Sequence, residues 1–333
     1  MEKQNFVEVA KAYIKNGISV IPVNSTKMPS IRNWGIFQVV PPTDQECEEM
    51  FSSCWGFAVL CGGKSNLVCF DFDLKYSLSS TLWEDIKLAI PRQILDKAYV
   101  QSTKNAGFHM VFEAPPTRLF GNEKLASRYT TEYEKDETYR DAFKNPETRS
   151  KALKMAMNDD RRVLIETRSG TSVVSGGYYV AAPSPGYKHV FGKINKLSEE
   201  EYDLLDEVLR TFNEVVKVDK TQKLFSSGDW EVSPFDHYNR EGDVAQVLID
   251  NGWTIGSESS QNINFKRPGS SPTFKSGIFD KTSRIFSCFS TSTIFDTQKS
   301  YNPVGVISVL EFEEDFSKTF SYLVERGWGI KNK

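Results

Sequence analysis

The stretch "NLVCFDFDLKY", residues 66–76, places two carboxylates, Asp71 and Asp73, one residue apart at the end of an unbroken apolar run. Side chains alternate along a strand, so both acids project from one face, about 7 Å apart, while Phe72 enters the opposite layer. Like charges this close raise each other's proton affinity, and burial adds a desolvation cost, so the pair needs a proton, a basic partner or a cation. Hard ions such as Mg²⁺ or Mn²⁺ prefer carboxylate oxygens and complete their shells with substrate phosphates, which ties the pair to nucleotide chemistry. A strand that has simply reached the surface explains an isolated pair of acids at least as well, so the rest of the chain has to decide.

Two more polar residues follow apolar runs in the same way: His109 in "GFHMVFE", and Glu166 in "RVLIETRSG" with Arg168 two residues further on. Three carboxylates and an imidazole gathered at one sheet edge can hold a pair of divalent ions that bridge a triphosphate and activate a hydroxyl. Taken singly, His109 reads as a satisfied structural histidine and Glu166 with Arg168 as a surface ion pair. Their conjunction favours a site.

Several elements must position these groups. Phe6, Val9, Ala10, Tyr13 and Ile14 have helical spacing within 4–16, Gly17 stops that helix, and "ISVIPV" follows as a strand. The loop "NSTKMPSIRNW" carries Lys27, Arg32 and Trp34, cations beside an aromatic that suit phosphate and base contacts. "FAVLCGG" (57–63) and "LVCFDFD" (67–73) read as a β-hairpin with a glycine-rich turn, and a helix around "STLWEDIKLAI" ends at Pro91. Residues 99–115 read as strand, turn and strand, with His109 near the start of the second. Residues 117–162, charged and poor in β-branched side chains, read as a helical insertion. "VVSGGYYVAAPSPGY" reads as strand and turn, with Gly176 and Gly177 allowing close backbone approach.

With 333 residues and 39% hydrophobic content, the chain is expected to hold two domains. A polar stretch at 218–231 separates an expected catalytic domain, 1–217, from an accessory domain, 232–333. A formal net charge of −3 argues against coating nucleic acid by bulk electrostatics, leaving a local basic groove. No run approaches the length a membrane span needs, and no apolar signal core opens the chain, so a cytoplasmic location is expected. The five cysteines form no close pair, so neither a disulfide framework nor a complete zinc site is indicated.

"AKAYIKNGISVIPV" with "KMPSIRNW", "LVCFDFDL", "STKNAGFHMVF", and "LIETRSG" leading into "GGYYVAAPSPGY" together resemble the primase-polymerase family of the archaeo-eukaryotic primase superfamily, the bifunctional type found in phages, plasmids and mobile elements. The resemblance implies an α+β fold: a primase-like core with a mixed, partly RRM-like sheet and flanking helices, followed by a small C-terminal α+β domain. It implies Asp71, Asp73 and Glu166 as ligands of two Mg²⁺ or Mn²⁺ ions and His109 as a contact of the incoming nucleotide. Arg168, Ser184 and Lys104 are weaker nucleotide candidates, and Lys27, Arg32 and Trp34 are template candidates. Single-stranded DNA, deoxynucleotides or ribonucleotides, and a replicative helicase supplied separately or by a further C-terminal region would be partners, and the resemblance places the cytoplasm in a bacterial host.

The second domain is reminiscent of the zinc-binding domain of bacterial primases, through "SPTF" and "SCFS". It keeps only Cys288 of the cysteines, so no zinc is expected. Lys266 and Arg267, with Phe265 and Lys275, are candidate contacts for a single strand. The leading expectation is a template-dependent nucleotidyltransferase that makes or extends primers. A non-catalytic strand-binding or helicase-recruiting module and a metal-dependent nuclease are the alternatives.

Overall fold

A computed structural model describes residues 5–144, 149–170, 177–215, 230–270, 275–297 and 299–332. Gly176, residues 218–229 of the expected linker and the "SPTF" stretch lie outside the described residues. The chain divides into two compact units, 1–209 and 210–333.

In the first unit, α1 (Phe6–Lys15) leads into β1 (Val20–Val23). Asn5 caps the helix by accepting from the Glu8 amide, and Gly17 ends it in a left-handed conformation, φ 76°. Next come α2 (Asp44–Phe51), β2 (Gly56–Leu60), β3 (Leu67–Phe72), α3 (Leu82–Ala89), α4 (Arg92–Leu95), β4 (Tyr99–Ser102) and β5 (Phe108–Glu113). After them lie β6 (Lys124–Tyr129), α5 (Glu132–Ala142), α6 (Arg149–Met157), β7 (Arg161–Arg168), β8 (Tyr178–Val180), β9 (Lys188–Phe191) and α7 (Glu199–Arg210).

These strands build two sheets, a three-stranded one in the order β1-β2-β8 and a six-stranded one in the order β6-β7-β3-β5-β4-β9. The sheet expected to be mixed is antiparallel in every named strand pair, and among the described residues its parallel pairing is a single bridge, Glu113–Lys196. Strands β3 and β4 nevertheless point the same way, because β5 inserts antiparallel between them; with α3 and α4 as the crossover this is a split βαβ unit.

Two expectations are corrected. β2 and β3 do not form a hairpin: they lie in different sheets, and among the described residues the backbone pairing where they cross is the single bridge Gly62–Leu67. A Cβ on Gly62, at φ +67°, would stand 2.4 Å from the Ser169 carbonyl oxygen, so the glycine serves a close crossing between sheets rather than a tight turn. The stretch 117–162 is also not wholly helical, since β6 forms an edge of the six-stranded sheet. Four consecutive residues of β6 are buried, among them Arg128, whose charge hides the strand pattern and is matched by Glu134 at 2.5 Å.

Strand alternation explains why so apolar a segment carries acids. Phe70 and Phe72 point to one face, where Phe70 meets Phe112 and Tyr202 of α7, and Phe72 meets Trp83 of α3. Both are fully buried, and truncating either to alanine would cost about 3–5 kcal/mol. On the other face Leu67 and Cys69 join Phe6, Phe57 and Val59 in the core between the sheets and α1, and the same face then reaches Asp71, where that core ends.

The second unit is described by itself. It contains β10 (Trp230–Val232), α8 (Pro234–Glu241), α9 (Val244–Asp250), β11 (Thr254–Glu258), β12 (Asn262–Lys266), β13 (Gly277–Asp280), β14 (Ile285–Cys288) and β15 (Ser300–Tyr301). It closes with α10 (Pro303–Phe312), α11 (Phe316–Glu325) and β16 (Ile330–Lys331), which pairs with β10. β11 to β15 form an antiparallel meander over a core that includes Trp253, Phe265 and Phe286. Phe265 is therefore not offered to a nucleic-acid strand, which corrects that expectation. Cys288 is buried, its sulfur 3.2 Å from Thr293 Oγ1 and 3.4 Å from the Ser276 carbonyl oxygen.

Candidate active site

Antiparallel register aligns the chemistry. Asp71 on β3 is directly opposite His109 on β5 and Glu166 on β7; His109 in turn faces Gln101 on β4, and Glu166 faces Lys124 on β6. Directly paired residues project from the same face, so Gln101, His109, Asp71, Glu166 and Lys124 form one polar row across five strands. Asp73 lies just past the end of β3, and its amide donates to the Leu164 carbonyl at 2.9 Å. That anchor returns its carboxylate to the row: Asp71, Asp73 and Glu166 each offer a ligand atom, and these atoms lie within 4.8 Å of one another.

Three half-buried carboxylates this close need positive charge. Arg168, two residues after Glu166 on the same face of β7, bonds the Glu166 carboxylate and stands 3.7 Å from Asp71 Oδ2. Lys75 approaches Asp73 Oδ1 at 3.4 Å, and His109 Nε2 approaches Asp71 Oδ1 at 3.5 Å. Burial works against ionising Asp71, but the His109 hydrogen bond and the charges of Arg168 and Lys27 hold its carboxyl below the usual value. Burial pushes Glu166 up instead, and Asp71 and Asp73 add to the rise against the pull of Arg168. An all-oxygen donor set that carries excess negative charge fits a hard divalent ion.

The row opens into a cleft of about 370 Å³ lined by Lys27, Trp34, Asp71, His109, Asn122, Arg168, Tyr178 and Tyr187, among others. Its far wall comes from the small sheet and the loop after β1. There Asn24 Oδ1 accepts from the amides of Thr26 and Met28, Tyr178 donates to the Lys27 carbonyl at 3.2 Å, and the Lys27 ammonium stands 5.8 Å from the Tyr187 ring centre. Trp34 packs edge-on against Tyr178 at 5.4 Å. Lys27 and Trp34 thus join the cleft that Asp71 and His109 line, while Asp73 and Glu166 stand beside Asp71 without lining it.

Other expected residues stand elsewhere. Ser184 is buried, with its hydroxyl accepting from the Phe57 amide at 2.9 Å and donating to the Phe57 carbonyl at 3.1 Å. It ties the chain after β8 to β2 and does not line the cleft. Lys104 is exposed on the β4–β5 turn with its ammonium over Trp55 at 5.6 Å, and Arg32 is exposed beside Trp34. Lys266 and Arg267 belong to the second unit, where Arg267 donates to Ser290 Oγ at 2.9 Å. Sequence reasoning passed over Gln101, Asn122, Tyr178 and Tyr187. The first had a signal: closing the β4–β5 turn with Ser102 opposite Phe108 sets Gln101 opposite His109.

With this geometry in place, a model of the N-terminal domain of bifunctional DNA primase/polymerase matches residues 10–199, more than half of the chain. The chain belongs to that family, and its class is a DNA primase/polymerase-type nucleotidyltransferase that works on DNA and nucleotides. No curated protein matches the chain. Among the described residues, no helix is long and apolar enough to cross a membrane.

Proposed function

We propose that this protein synthesises primers on single-stranded DNA, extends them, or does both, by attack of a 3′-hydroxyl on the α-phosphorus of a nucleoside triphosphate with release of pyrophosphate. The carrying observation is the row of Asp71 between His109 and Glu166, closed by Asp73 and facing a cleft with Lys27 and Arg168. Asp71, Asp73 and Glu166 would hold two divalent ions, Mg²⁺ or Mn²⁺. When bound, such ions would offset the negative charge of the triphosphate and lower the pKa of the attacking hydroxyl.

The remaining residues bind and orient. Lys27 and Arg168 supply positive charge for the triphosphate, so Lys27 serves the nucleotide rather than the template expected from sequence. His109 donates to a phosphate oxygen. Tyr178, Tyr187 and Trp34 offer aromatic surface to base or sugar. Arg32 and, in the second unit, Lys266 and Arg267 remain template candidates, and a separately supplied helicase remains a candidate partner. A replicative role in a phage, plasmid or other mobile element follows from the same reading.

The test is synthesis on single-stranded DNA without a primer, in Mg²⁺ or Mn²⁺ with labelled nucleotides, beside the double variant Asp71→Ala/Asp73→Ala. Products from the wild type alone support a primase; extension only of a supplied primer leaves a polymerase. Shortened DNA without nucleotide would identify a nuclease, and DNA binding without any product a non-catalytic module.

A further inference from the structure

Gln101 is fully buried on β4, and nothing in the proposed phosphoryl transfer calls for an amide at that position. Its side chain has four polar neighbours. Nε2 stands 2.8 Å from the Val180 carbonyl oxygen and 2.9 Å from His109 Nδ1; Oε1 stands 2.9 Å from the Ala182 amide nitrogen and 3.3 Å from the Tyr99 hydroxyl. Which end of a glutamine is oxygen is ordinarily a matter of assignment from the network. Here two backbone groups settle it. A carbonyl only accepts, so the end facing Val180 is the NH₂; a peptide N–H only donates, so the end facing Ala182 is the oxygen.

The consequence passes to the imidazole. An amide nitrogen has two hydrogens and no acceptor capacity; one hydrogen goes to Val180 and the other points at Nδ1 of His109. Nδ1 must then present its lone pair, which leaves the ring proton on Nε2, the atom facing Asp71 Oδ1 at 3.5 Å and the cleft. The His109 side chain is only 7% exposed, and Tyr179 covers the ring edge-on at 5.4 Å. The opposite tautomer would turn the Nε2 lone pair toward a carboxylate and toward any phosphate in the cleft.

We propose that Gln101 is a positioning residue that holds His109 as the Nε2–H tautomer, so that the imidazole offers its single proton to a phosphate oxygen of the bound nucleotide. Val180 ends β8 in the small sheet, and Gln101 and His109 belong to the large one, so the contact between the two sheets sets the tautomer. The role of the proton rests on reading the cleft as a nucleotide site; the location of the proton does not.

The experiment is long-range ¹H–¹⁵N correlation on the full chain labelled at histidine. The chain has three histidines, so His109→Asn assigns the signal. The metal-free wild type at pH 8 is expected to show Nε2 as the protonated nitrogen of His109. Gln101→Glu places an acceptor against Nδ1 and moves the proton there; Gln101→Met, of similar volume, leaves the two tautomers mixed. Nucleotide affinity, measured with Mg²⁺ and a non-hydrolysable triphosphate, is expected to fall about tenfold in Gln101→Glu, the scale of one hydrogen bond, and to fall no further when Gln101→Glu is added to His109→Asn.

A wild type protonated on Nδ1, or a spectrum unmoved by Gln101→Met, overturns the proposal. An equal loss of affinity from Gln101→Glu with and without His109 reduces Gln101 to a packing residue. A wild type that binds no triphosphate overturns the nucleotide reading instead, and the wild-type nitrogen spectrum, which needs no variant, still decides the tautomer.

Discussion

Asp71 and Glu166 stand directly opposite each other across β3 and β7, yet their surroundings push their carboxyls in opposite directions, Asp71 down and Glu166 up. The pair is thus divided into one acid held as a carboxylate by His109 and Arg168 and one whose charge is resisted by burial and by the neighbouring acids.

Stability without metal follows with opposite signs. A carboxyl raised in the folded state contributes most below its unfolded value and loses that contribution as pH rises through the folded value. Glu166→Gln is therefore expected to gain on the wild type between pH 4 and pH 8. A carboxyl lowered in the folded state contributes above its unfolded value and loses this as pH falls. Asp71→Asn is expected to melt below the wild type at pH 7, with the gap closing in acid. Melting in EDTA across this range checks both, with shifts of about 2–4 °C for each kcal/mol. Glu166→Gln below Asp71→Asn at pH 7 would refute the division.

Lys27 and Arg32 lie five residues apart in one loop, but only Lys27 lines the cleft. Lys27→Ala is expected to weaken triphosphate binding about tenfold, the scale of one charge-assisted hydrogen bond, and to leave single-strand affinity at fixed salt unchanged. Titrations of both ligands check this, and equal loss in both would return Lys27 to the template.

The Ser184 hydroxyl accepts from the Phe57 amide, while the Phe57 carbonyl also accepts from the Ala181 amide, so Ser184→Ala is expected to lower stability by about 1–2 kcal/mol and to leave triphosphate affinity intact. Urea unfolding beside nucleotide titration separates the two effects. A selective loss of affinity would place its hydroxyl in the nucleotide site after all.

Arg128 is 3% exposed and pairs with Glu134 at 2.5 Å, which, helped by the Thr131 cap, pulls the Glu134 carboxyl down to about 2. Glu134→Gln is expected to cost about 3 kcal/mol at pH 7 by leaving the guanidinium half-satisfied. This contribution is present above the ordinary carboxylate value of 4.5 and disappears as pH falls toward 2. Arg128 also donates to the Tyr76 carbonyl in the turn after Asp73, so activity is expected to fall with stability. Unfolding at pH 7 and pH 3 with a parallel synthesis assay tests both parts.

Local pattern carried α1, the β4–β5 hairpin and the four polar residues at the sheet row, because each combines strong periodicity with clear turn or capping residues. It misjudged β2 and β3, since Gly62 and Gly63 permit a sharp change of direction without specifying whether the strands pair or part. It missed β6 because Arg128 occupies a core position that only a partner distant in space makes tolerable. Gln101 was hidden for a related reason: its importance lies in two backbone groups near residue 181, which no reading of residues 99–115 contains. The cleft itself was beyond local pattern, since its walls come from different sheets.

The five-strand row has a consequence for folding. A one-residue slip of β3 against either neighbour would replace Asp71 in the row by Phe70 or Phe72 and dismantle the three-carboxylate group. A divalent ion held by that group would recognise only correctly threaded molecules, and by mass action would draw the population toward them. The metal would thereby act as an inspector of strand alignment, and its affinity would count the fraction of chains folded in register.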